Sequence, residues 1–351
     1  MVAPEQNKSL IYKAVPDTFP EAGTHLTIEE RPIDIDTAEL HGGILVKVLY
    51  TSLDPYLRIL MRDPKIKSYS PPLNLDEPIQ SAIVGKVVRS NTPQYQIGDT
   101  IATFYGENAE YTIIPESSFS ATGLRKVENT QGLPLSYYVG YLGMPGATSV
   151  QGFYEVGQPK KGETIFISAA AGAVGQVVGQ LAKAEGLTVI GSAGSQEKVD
   201  FIKSLGFDVA FNYKEEKPLD ALRRLVPQGI DIYWDNVGGE ALEAALEMMN
   251  DQGRIVACGS ISGYNSKPED RYGVRNTFYL VTKRLRIQGF IVDLSPPKYN
   301  AAIDKLAPLF AEGKIQVKED VYDGIERGPE SLIGIFKGQT FGKTILKVAD
   351  V

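Results

Sequence analysis

The sequence predicts an α/β protein that combines a doubly wound parallel sheet with a second, β-rich domain. Residues 1–133 hold short apolar strands separated by Pro, Gly and Asp, a pattern typical of a β-rich domain. Residues 134–312 alternate strands with helices, which indicates a parallel sheet covered on both faces. Residues 313–351 are Gly-rich and end in a strand that we expect to rejoin the first domain. A chain of 351 residues with 43% hydrophobic content can fill two such cores.

The first domain contains one segment with candidate site residues. Its strands are predicted at Gly43–Tyr50 and Ala82–Val88. After the first of these, Asp54 is placed to cap a short helix that begins at Pro55. This arrangement would leave the side chains of Tyr56 and Arg58 to line a cleft.

The most informative segment is Glu163–Gly175, where an apolar strand runs into a glycine-containing turn and then a helix. Gly172 and Gly175 occupy two of the three glycine positions of a dinucleotide-binding turn, while Ala170 occupies the first. The free N–H groups at the start of such a helix bind phosphate. The segment therefore predicts a site for a dinucleotide.

The following strand, Leu187–Ser192, indicates which dinucleotide is bound. An enzyme that selects NAD normally places an acidic residue at this strand end, and none is present here. Ser192, Ser195 and Lys198 can instead donate hydrogen bonds to a 2′-phosphate. We therefore infer NADP, the alternative being that Lys198 is only a solvated helix residue.

Further strands are predicted at Asp208–Tyr213, Ile230–Asn236, Arg254–Gly259 and Leu285–Val292. Ligands bind beyond the carboxyl ends of such strands. Tyr213 could reach the adenosine phosphate or pack on a helix, and Asn236 could bind the dinucleotide or belong to an ordinary turn. The loop 258–264 would face nicotinamide and substrate, which makes Tyr264 the candidate proton donor.

The composition argues against several other classes of protein. The single cysteine, Cys258, excludes an internal disulfide, and with His25 and His41 as the only histidines we expect no metal site. A net charge of −7 disfavours nucleic acid as a partner. No apolar run reaches the roughly 20 residues that span a bilayer, so no membrane partner is expected. Residues 1–20 lack the pattern of a targeting signal, which favours the cytoplasm.

Seven segments together resemble the zinc-independent medium-chain dehydrogenases/reductases, and among these the alkenal double-bond reductases and the leukotriene hydroxydehydrogenase/prostaglandin reductases. The segments are Ser52–Arg58, Gly143–Gly146, Ala169–Gln180, Gly191–Lys198, Phe211–Lys214, Asn236–Gly239 and Ile287–Phe290. The resemblance implies a GroES-like catalytic domain over 1–133 and a Rossmann domain that binds NADP(H) over 134–312. It also implies a homodimer joined through the cofactor domains.

The resemblance further implies catalytic roles for Tyr264 and for Tyr56, which would bound the pocket. The residues expected to bind NADP(H) are Pro55, Met144, Thr148, Ala170, Gly172, Ala173, Val174, Gly175, Gly194, Ser195, Lys198, Tyr213, Asn236, Cys258, Gly259, Ser260, Ile261, Tyr264, Phe290, Ile291, Val292 and Thr340. Two segments depart from the family pattern. Near the C-terminus the family usually has an Asn before Gly-Lys, whereas this chain reads Gly338–Lys343 and would offer a weaker contact from Thr340. The segment Thr148–Gln151 lacks the aromatic residue that the family commonly has.

The activity implied by the resemblance is reduction of the C=C bond of an α,β-unsaturated aldehyde or ketone. Hydride from NADPH would add to the β-carbon and a proton to the α-carbon. Three alternatives stay open on the sequence alone: a quinone reductase, an NADP-dependent hydroxyl dehydrogenase and a non-catalytic NADPH-binding protein.

Overall fold

The computed structural model describes residues 6–351. Residues 1–5, which open the predicted first domain and the segment read for a targeting signal, lie outside the described residues. The chain forms two compact units. One comprises the residues up to Met144 together with Glu319–Val351, and the other comprises Pro145–Lys318. The boundaries expected from the sequence lay after residues 133 and 312.

The strands are β1 (Lys8–Tyr12), β2 (Leu26–Glu30), β3 (Ile44–Ser52), β4 (Glu77–Pro78), β5 (Gln80–Ser90), β6 (Thr100–Glu107), β7 (Tyr111–Ile114), β8 (Arg125–Lys126), β9 (Thr164–Ile167), β10 (Thr188–Ala193), β11 (Val209–Asn212), β12 (Ile230–Asp235), β13 (Met249–Ala257), β14 (Arg286–Gly289), β15 (Glu319–Asp323) and β16 (Lys343–Lys347). The helices are α1 (Tyr56–Leu60), α2 (Phe119–Thr122), α3 (Met144–Gln151), α4 (Ala173–Ala184), α5 (Gln196–Ser204), α6 (Pro218–Leu225), α7 (Gly239–Met248), α8 (Tyr279–Thr282), α9 (Pro296–Ala311) and α10 (Gly328–Phe336).

The first unit is built on a seven-stranded sheet. Its strand order is β15-β16-β3-β5-β6-β8, with β7 paired to β3. A second sheet has the order β2-β1-β4. The last strand, β16, runs antiparallel to β3 and pairs Ile345 with Ser52. The chain end therefore lies beside the segment that leads into Pro55 and Tyr56.

The first unit extends beyond residue 133 because the segment that follows packs into its core. A 3₁₀-helix spans Leu135–Val139. Val139 is fully buried in a cluster with Val84, Ala102 and Ile345. Removing this segment from the unit would expose that apolar surface to water, which is unfavourable.

The second unit extends to Lys318 because two glutamines one turn apart on α4 hold the backbone there. Gln180 forms a reciprocal pair with Gln316, since its Nε2 donates to the Gln316 carbonyl at 2.7 Å and its Oε1 accepts from the Gln316 N–H at 2.9 Å. The Gln176 Oε1 accepts from the Lys318 N–H at 2.8 Å. The extended segment 316–318 therefore runs along α4.

The second unit is a doubly wound sheet with the order β11-β10-β9-β12-β13-β14, and all of its pairs are parallel. The strand β9 is buried throughout, as expected for a central strand covered on both faces. The strand order reverses between β9 and β12, and the carboxyl ends at such a point form the ligand crevice. The predicted fold class is confirmed.

None of the helices within residues 6–351 has the length and apolar character needed to cross a membrane.

Candidate active site

The turn between β9 and α4 has the geometry of a phosphate-binding turn. The helix begins after Gly172, and no side chain caps its first N–H groups. The one left-handed residue of the turn is Ala169, with φ 48°. Ala170 is buried, and its N–H donates to the Ser192 carbonyl at 2.9 Å. Because the left-handed conformation falls on Ala169, the absence of glycine at position 170 does not disturb the turn.

The two glycines of the turn, Gly172 and Gly175, have different structural roles. A Cβ on Gly175 would lie 2.7 Å from the Ala170 Cα and 2.8 Å from the Ala169 and Ala170 carbonyl oxygens, so Gly175 lets the helix approach the strand. A Cβ on Gly172 would meet only the Ala169 oxygen, at 3.2 Å. Gly172 therefore leaves open the space in front of the N–H groups of residues 173–175, which fits the pyrophosphate of a dinucleotide.

The predicted 2′-phosphate contacts gather at the ends of β10 and β11. Ser195 caps α5, since its Oγ accepts from the Lys198 N–H at 3.3 Å. A Cβ on Gly194 would lie 2.9 Å from the hydroxyl of Tyr213, so Gly194 makes room for that ring. Tyr213 is 43% exposed. Ser192, the second-last residue of β10, is buried, so its side chain is not exposed to a ligand as the other three are. Ser195, Lys198 and Tyr213 remain as the candidate phosphate contacts.

We expect Lys198→Ala to weaken NADPH binding about tenfold, because a charge-assisted hydrogen bond to the 2′-phosphate would be lost. Binding of NADH, which lacks this phosphate, should be unchanged. Isothermal titration of both cofactors measures the difference. Lys203→Ala is the matched control, since Lys203 is exposed in the last turn of the same helix. Equal losses for NADPH and NADH would contradict this role of Lys198.

Asn236 follows β12 as predicted, but both polar groups of its side chain have partners within the chain. Its Nδ2 donates to the Ser168 carbonyl at 2.7 Å, and its Oδ1 accepts from the Trp234 indole at 3.1 Å. The side chain thus ties the end of β12 to the end of β9. A contact between the Asn236 side chain and a dinucleotide stays a prediction, and it would use the second amide hydrogen or the second lone pair of Oδ1.

The loop after β13 holds the candidate proton donor. The hydroxyl oxygen of Tyr264 accepts a hydrogen bond from the Ser260 N–H at 3.1 Å. A Cβ on Gly259 would lie 3.1 Å from the same oxygen, so the phenol lies against the loop backbone. Burial, followed by the charge of Asp235, raises the pKa of the Cys258 thiol to about 12. Cys258 is therefore a neutral thiol rather than a nucleophile at neutral pH.

The predicted contacts after β14 lie beyond the strand, which ends at Gly289. The Phe290 ring packs edge-on against Trp234 with centroids 6.1 Å apart, and Ile291 is 63% exposed. A Cβ on Gly152 would lie within 2.5 Å of both rings. Gln151 holds the segment, because it both donates to the Asp293 carbonyl and accepts from the Asp293 N–H at 2.8 Å. The sequence pattern gave no reason to single out Gln151.

Thr148 is buried on α3, beside the start of α4. Its neighbour Ser149 donates to the Val174 carbonyl at 3.4 Å. Val150, which lies where the family has its aromatic residue, is buried as well.

The remaining predicted residues, Pro55, Tyr56, Met144 and Thr340, belong to the other unit. Thr340 packs near Gly334, since a Cβ added to Gly334 would lie 3.4 Å from the methyl group of Thr340. Met144 opens α3 and is half-buried. Burial, followed by the charge of Asp54, raises the pKa of Tyr56 well above its usual value. Tyr56 is therefore a neutral phenol that can donate a hydrogen bond.

The predicted cap by Asp54 is wrong. Helix α1 has no side-chain cap, because Asp54 instead pairs with Lys343 at 3.2 Å. The Lys343 ammonium is buried and also donates to the Leu53 and Thr344 carbonyls at 2.7 and 2.8 Å. Burial lowers the pKa of Lys343. The pair holds the segment before Tyr56 onto β16.

Arg58 was also expected to line a cleft, and this prediction is wrong. Arg58 is buried, and its guanidinium donates to the carbonyls of Pro16 and Thr18 at 2.9 and 2.8 Å. The side chain fixes the segment 16–18. Burial and these bonds to backbone carbonyls keep the Arg58 side chain away from a solvent-accessible cleft.

Within residues 6–351, no three His, Cys, Asp or Glu side chains gather in a group that could hold a metal ion. The uncapped start of α4 and the open space at Gly172 fit a dinucleotide pyrophosphate. The sheet order and this turn define the class of the protein as a dinucleotide-binding protein of the doubly wound type.

The family model described as "Zinc-binding dehydrogenase" matches residues 173–308, and "N-terminal domain of oxidoreductase" matches residues 8–121. A 2-alkenal reductase (NADP(+)-dependent) of Nicotiana tabacum is 44% identical over 98% of both chains. A (+)-pulegone reductase of Mentha piperita is 45% identical over 88% of this chain and 89% of its own. The crystal structure of CurA in complex with NADPH from Vibrio vulnificus superimposes with a TM-score of 0.87, at 32% identity, over 98% of this chain and 100% of that one.

The chain belongs to the NADP-dependent alkenal reductase family of the medium-chain dehydrogenases/reductases. It is an NADP-dependent oxidoreductase, and its cofactor is NADP(H).

Proposed function

We propose that this enzyme reduces the C=C bond of α,β-unsaturated aldehydes and ketones. The observation that carries the proposal is the phenol of Tyr264, held by the Ser260 N–H at the carboxyl end of β13, on the same sheet edge as the phosphate-binding turn. The names of the tobacco and mint relatives, a 2-alkenal reductase and a pulegone reductase, support the same chemistry.

When bound, NADPH would supply the hydride for the β-carbon of the substrate, and negative charge would develop on the carbonyl oxygen. The task of the chain is to orient the carbonyl and to stabilise the developing oxyanion. The oxygen of Tyr264 accepts from the Ser260 N–H, and we propose that its O–H donates to that oxyanion when substrate binds. The α-carbon then takes its proton from Tyr264 or from water. Tyr56, a neutral phenol, would bound the substrate.

A substrate panel tests the proposal. The purified protein is supplied with NADPH and an enone or with NADPH and a quinone, and separately with NADP and a secondary alcohol. We expect turnover of the enone to the saturated carbonyl compound, with the C=O bond intact. An allylic alcohol as the product, or turnover of the quinone alone, would contradict the proposal.

We also propose that the enzyme works in the cytoplasm as a homodimer joined through its cofactor units. All residues of the edge strand β14 are exposed, and an exposed edge can pair with a second copy. Phe278 and Val281, which precede this strand, are 71% and 70% exposed. The lone cysteine gives the chain no internal disulfide that would require an oxidising compartment. Light scattering should give the mass of two chains, and the mass of one would contradict the dimer.

A further inference from the structure

Asp235 contacts two segments of the candidate site, one through its buried carboxylate and the other through its backbone carbonyl. A single oxygen, Oδ1, accepts hydrogen bonds from the Val237 N–H at 2.9 Å and from the Gly238 N–H at 2.7 Å. The backbone carbonyl of Asp235 accepts from the Cys258 and Gly259 N–H groups at 2.9 and 3.0 Å. One residue thus fixes both the turn 236–239 and the start of the loop 258–264.

A third strand end is tied to the same residue through Tyr233. The Tyr233 hydroxyl lies 2.8 Å from the Asp235 Oδ1 and 3.0 Å from the Ser168 Oγ. The Ser168 Oγ in turn accepts from the Asn236 N–H at 3.1 Å. The ends of β9, β12 and β13 therefore share one buried hydrogen-bond network, with Asp235 at its centre.

The turn 236–239 needs such restraint. Gly238 and Gly239 both have left-handed backbone conformations, with φ 69° and 54°. Glycine also loses the most conformational freedom when it is ordered. Without the carboxylate, the N–H groups of residues 237 and 238 would lose their acceptor, and the turn could adopt other conformations.

We propose that Asp235 is a positioning residue for the nicotinamide half of NADP(H). Its side chain acts through the turn 236–239 and the Tyr233 hydroxyl, while its backbone carbonyl anchors the start of the loop 258–264. The adenine half would rest on other elements, the ends of β10 and β11 with Lys198 and Tyr213. The inference rests on one part of the proposed function, which is that nicotinamide lies beside the loop 258–264.

The test separates the two halves of the cofactor. Asp235→Asn keeps the shape of the side chain but weakens the three hydrogen bonds that the carboxylate accepts. We expect its dissociation constant for NADPH to rise about tenfold. The dissociation constant for 2′,5′-ADP, which carries only the adenine half, should stay within about twofold of the wild-type value. Isothermal titration measures both without any substrate.

The matched control is Asp231→Asn, at the amino end of the same strand. Asp231 also accepts two hydrogen bonds, from the Asn250 Nδ2 and the Thr164 N–H, each at 2.8 Å. Neither dissociation constant should change in this variant. An equal loss of affinity for NADPH and 2′,5′-ADP in Asp235→Asn would overturn the inference, as would no change in either.

A second variant covers the case in which Asp235→Asn does not fold. Tyr233→Phe removes one of the three donors to Asp235 but keeps the ring, which stacks on Phe166 at 5.0 Å. A smaller rise in the dissociation constant for NADPH, with 2′,5′-ADP unchanged, is expected. Unchanged NADPH affinity in Tyr233→Phe would then overturn the inference. A lack of enone turnover in the wild-type protein would remove the proposed function but leave these affinity differences intact.

Discussion

Tyr264→Phe is expected to lower the turnover of an enone at least about tenfold, and as much as about a hundredfold, while the affinity for NADPH stays nearly unchanged. The variant loses the O–H that would donate to the developing enolate oxygen but keeps the ring. The Ser260 N–H, which donates to the Tyr264 oxygen, loses its acceptor and can bind water instead. Because the change affects charge that develops in the transition state, it should appear in kcat rather than in KM.

Tyr272→Phe is the control for this prediction. Tyr272 lies after the same loop and is 49% exposed. The enone turnover of the Tyr272→Phe variant should therefore stay within about twofold of the wild-type value. The measurement is steady-state consumption of NADPH at saturating enone, together with a titration of NADPH. If Tyr264→Phe turns over the enone as fast as the wild-type protein, the phenol has no part in the mechanism.

Gly172→Ala should weaken NADPH binding about a hundredfold, because its methyl group would displace the pyrophosphate from two N–H donors. The protein without cofactor should keep its stability. Gly172 has an ordinary extended backbone, with φ −78° and ψ 171°, and the added methyl would meet only the Ala169 carbonyl oxygen, at 3.2 Å. Calorimetric titration measures the affinity, and thermal unfolding without cofactor measures the stability.

Two further alanine variants define the expected pattern. Gly175→Ala would press a methyl group against the Ala170 backbone at 2.7 Å and should lower Tm without cofactor. The methyl group added in Gly273→Ala would meet no atom within 4 Å, so this variant should change neither the affinity for NADPH nor the Tm without cofactor. If Gly172→Ala lowers Tm as much as Gly175→Ala does, its effect on NADPH binding would be structural, and Gly172 would not face the pyrophosphate.

The sequence predicts those features that depend on local periodicity and on short motifs. The strand that becomes β12 was expected at Ile230–Asn236 and spans Ile230–Asp235. The strand expected at Arg254–Gly259 begins earlier, at Met249. The turn at Gly172 and Gly175 was predicted from its glycines together with the strand before them and the helix after them, because close approach of the backbone depends directly on the missing Cβ.

The partners of buried polar side chains could not be predicted, because they come from distant parts of the chain. Asp54 looked like a helix cap from its neighbours, but its partner Lys343 is brought in by the pairing of β16 with β3. Arg58 likewise finds its acceptors in the segment 16–18. Gln151 carries no local motif, and its role depends on Asp293.

The fate of an isotopic label tests the central claim, reduction of the C=C bond, most directly. The protein is incubated with an enone and with NADPH that carries deuterium at C4 of the nicotinamide, and the product is analysed by mass spectrometry and NMR. We expect a saturated carbonyl compound with deuterium on the β-carbon, and with deuterium on the α-carbon only when the solvent is D₂O. An alcohol with deuterium on the former carbonyl carbon would contradict the account.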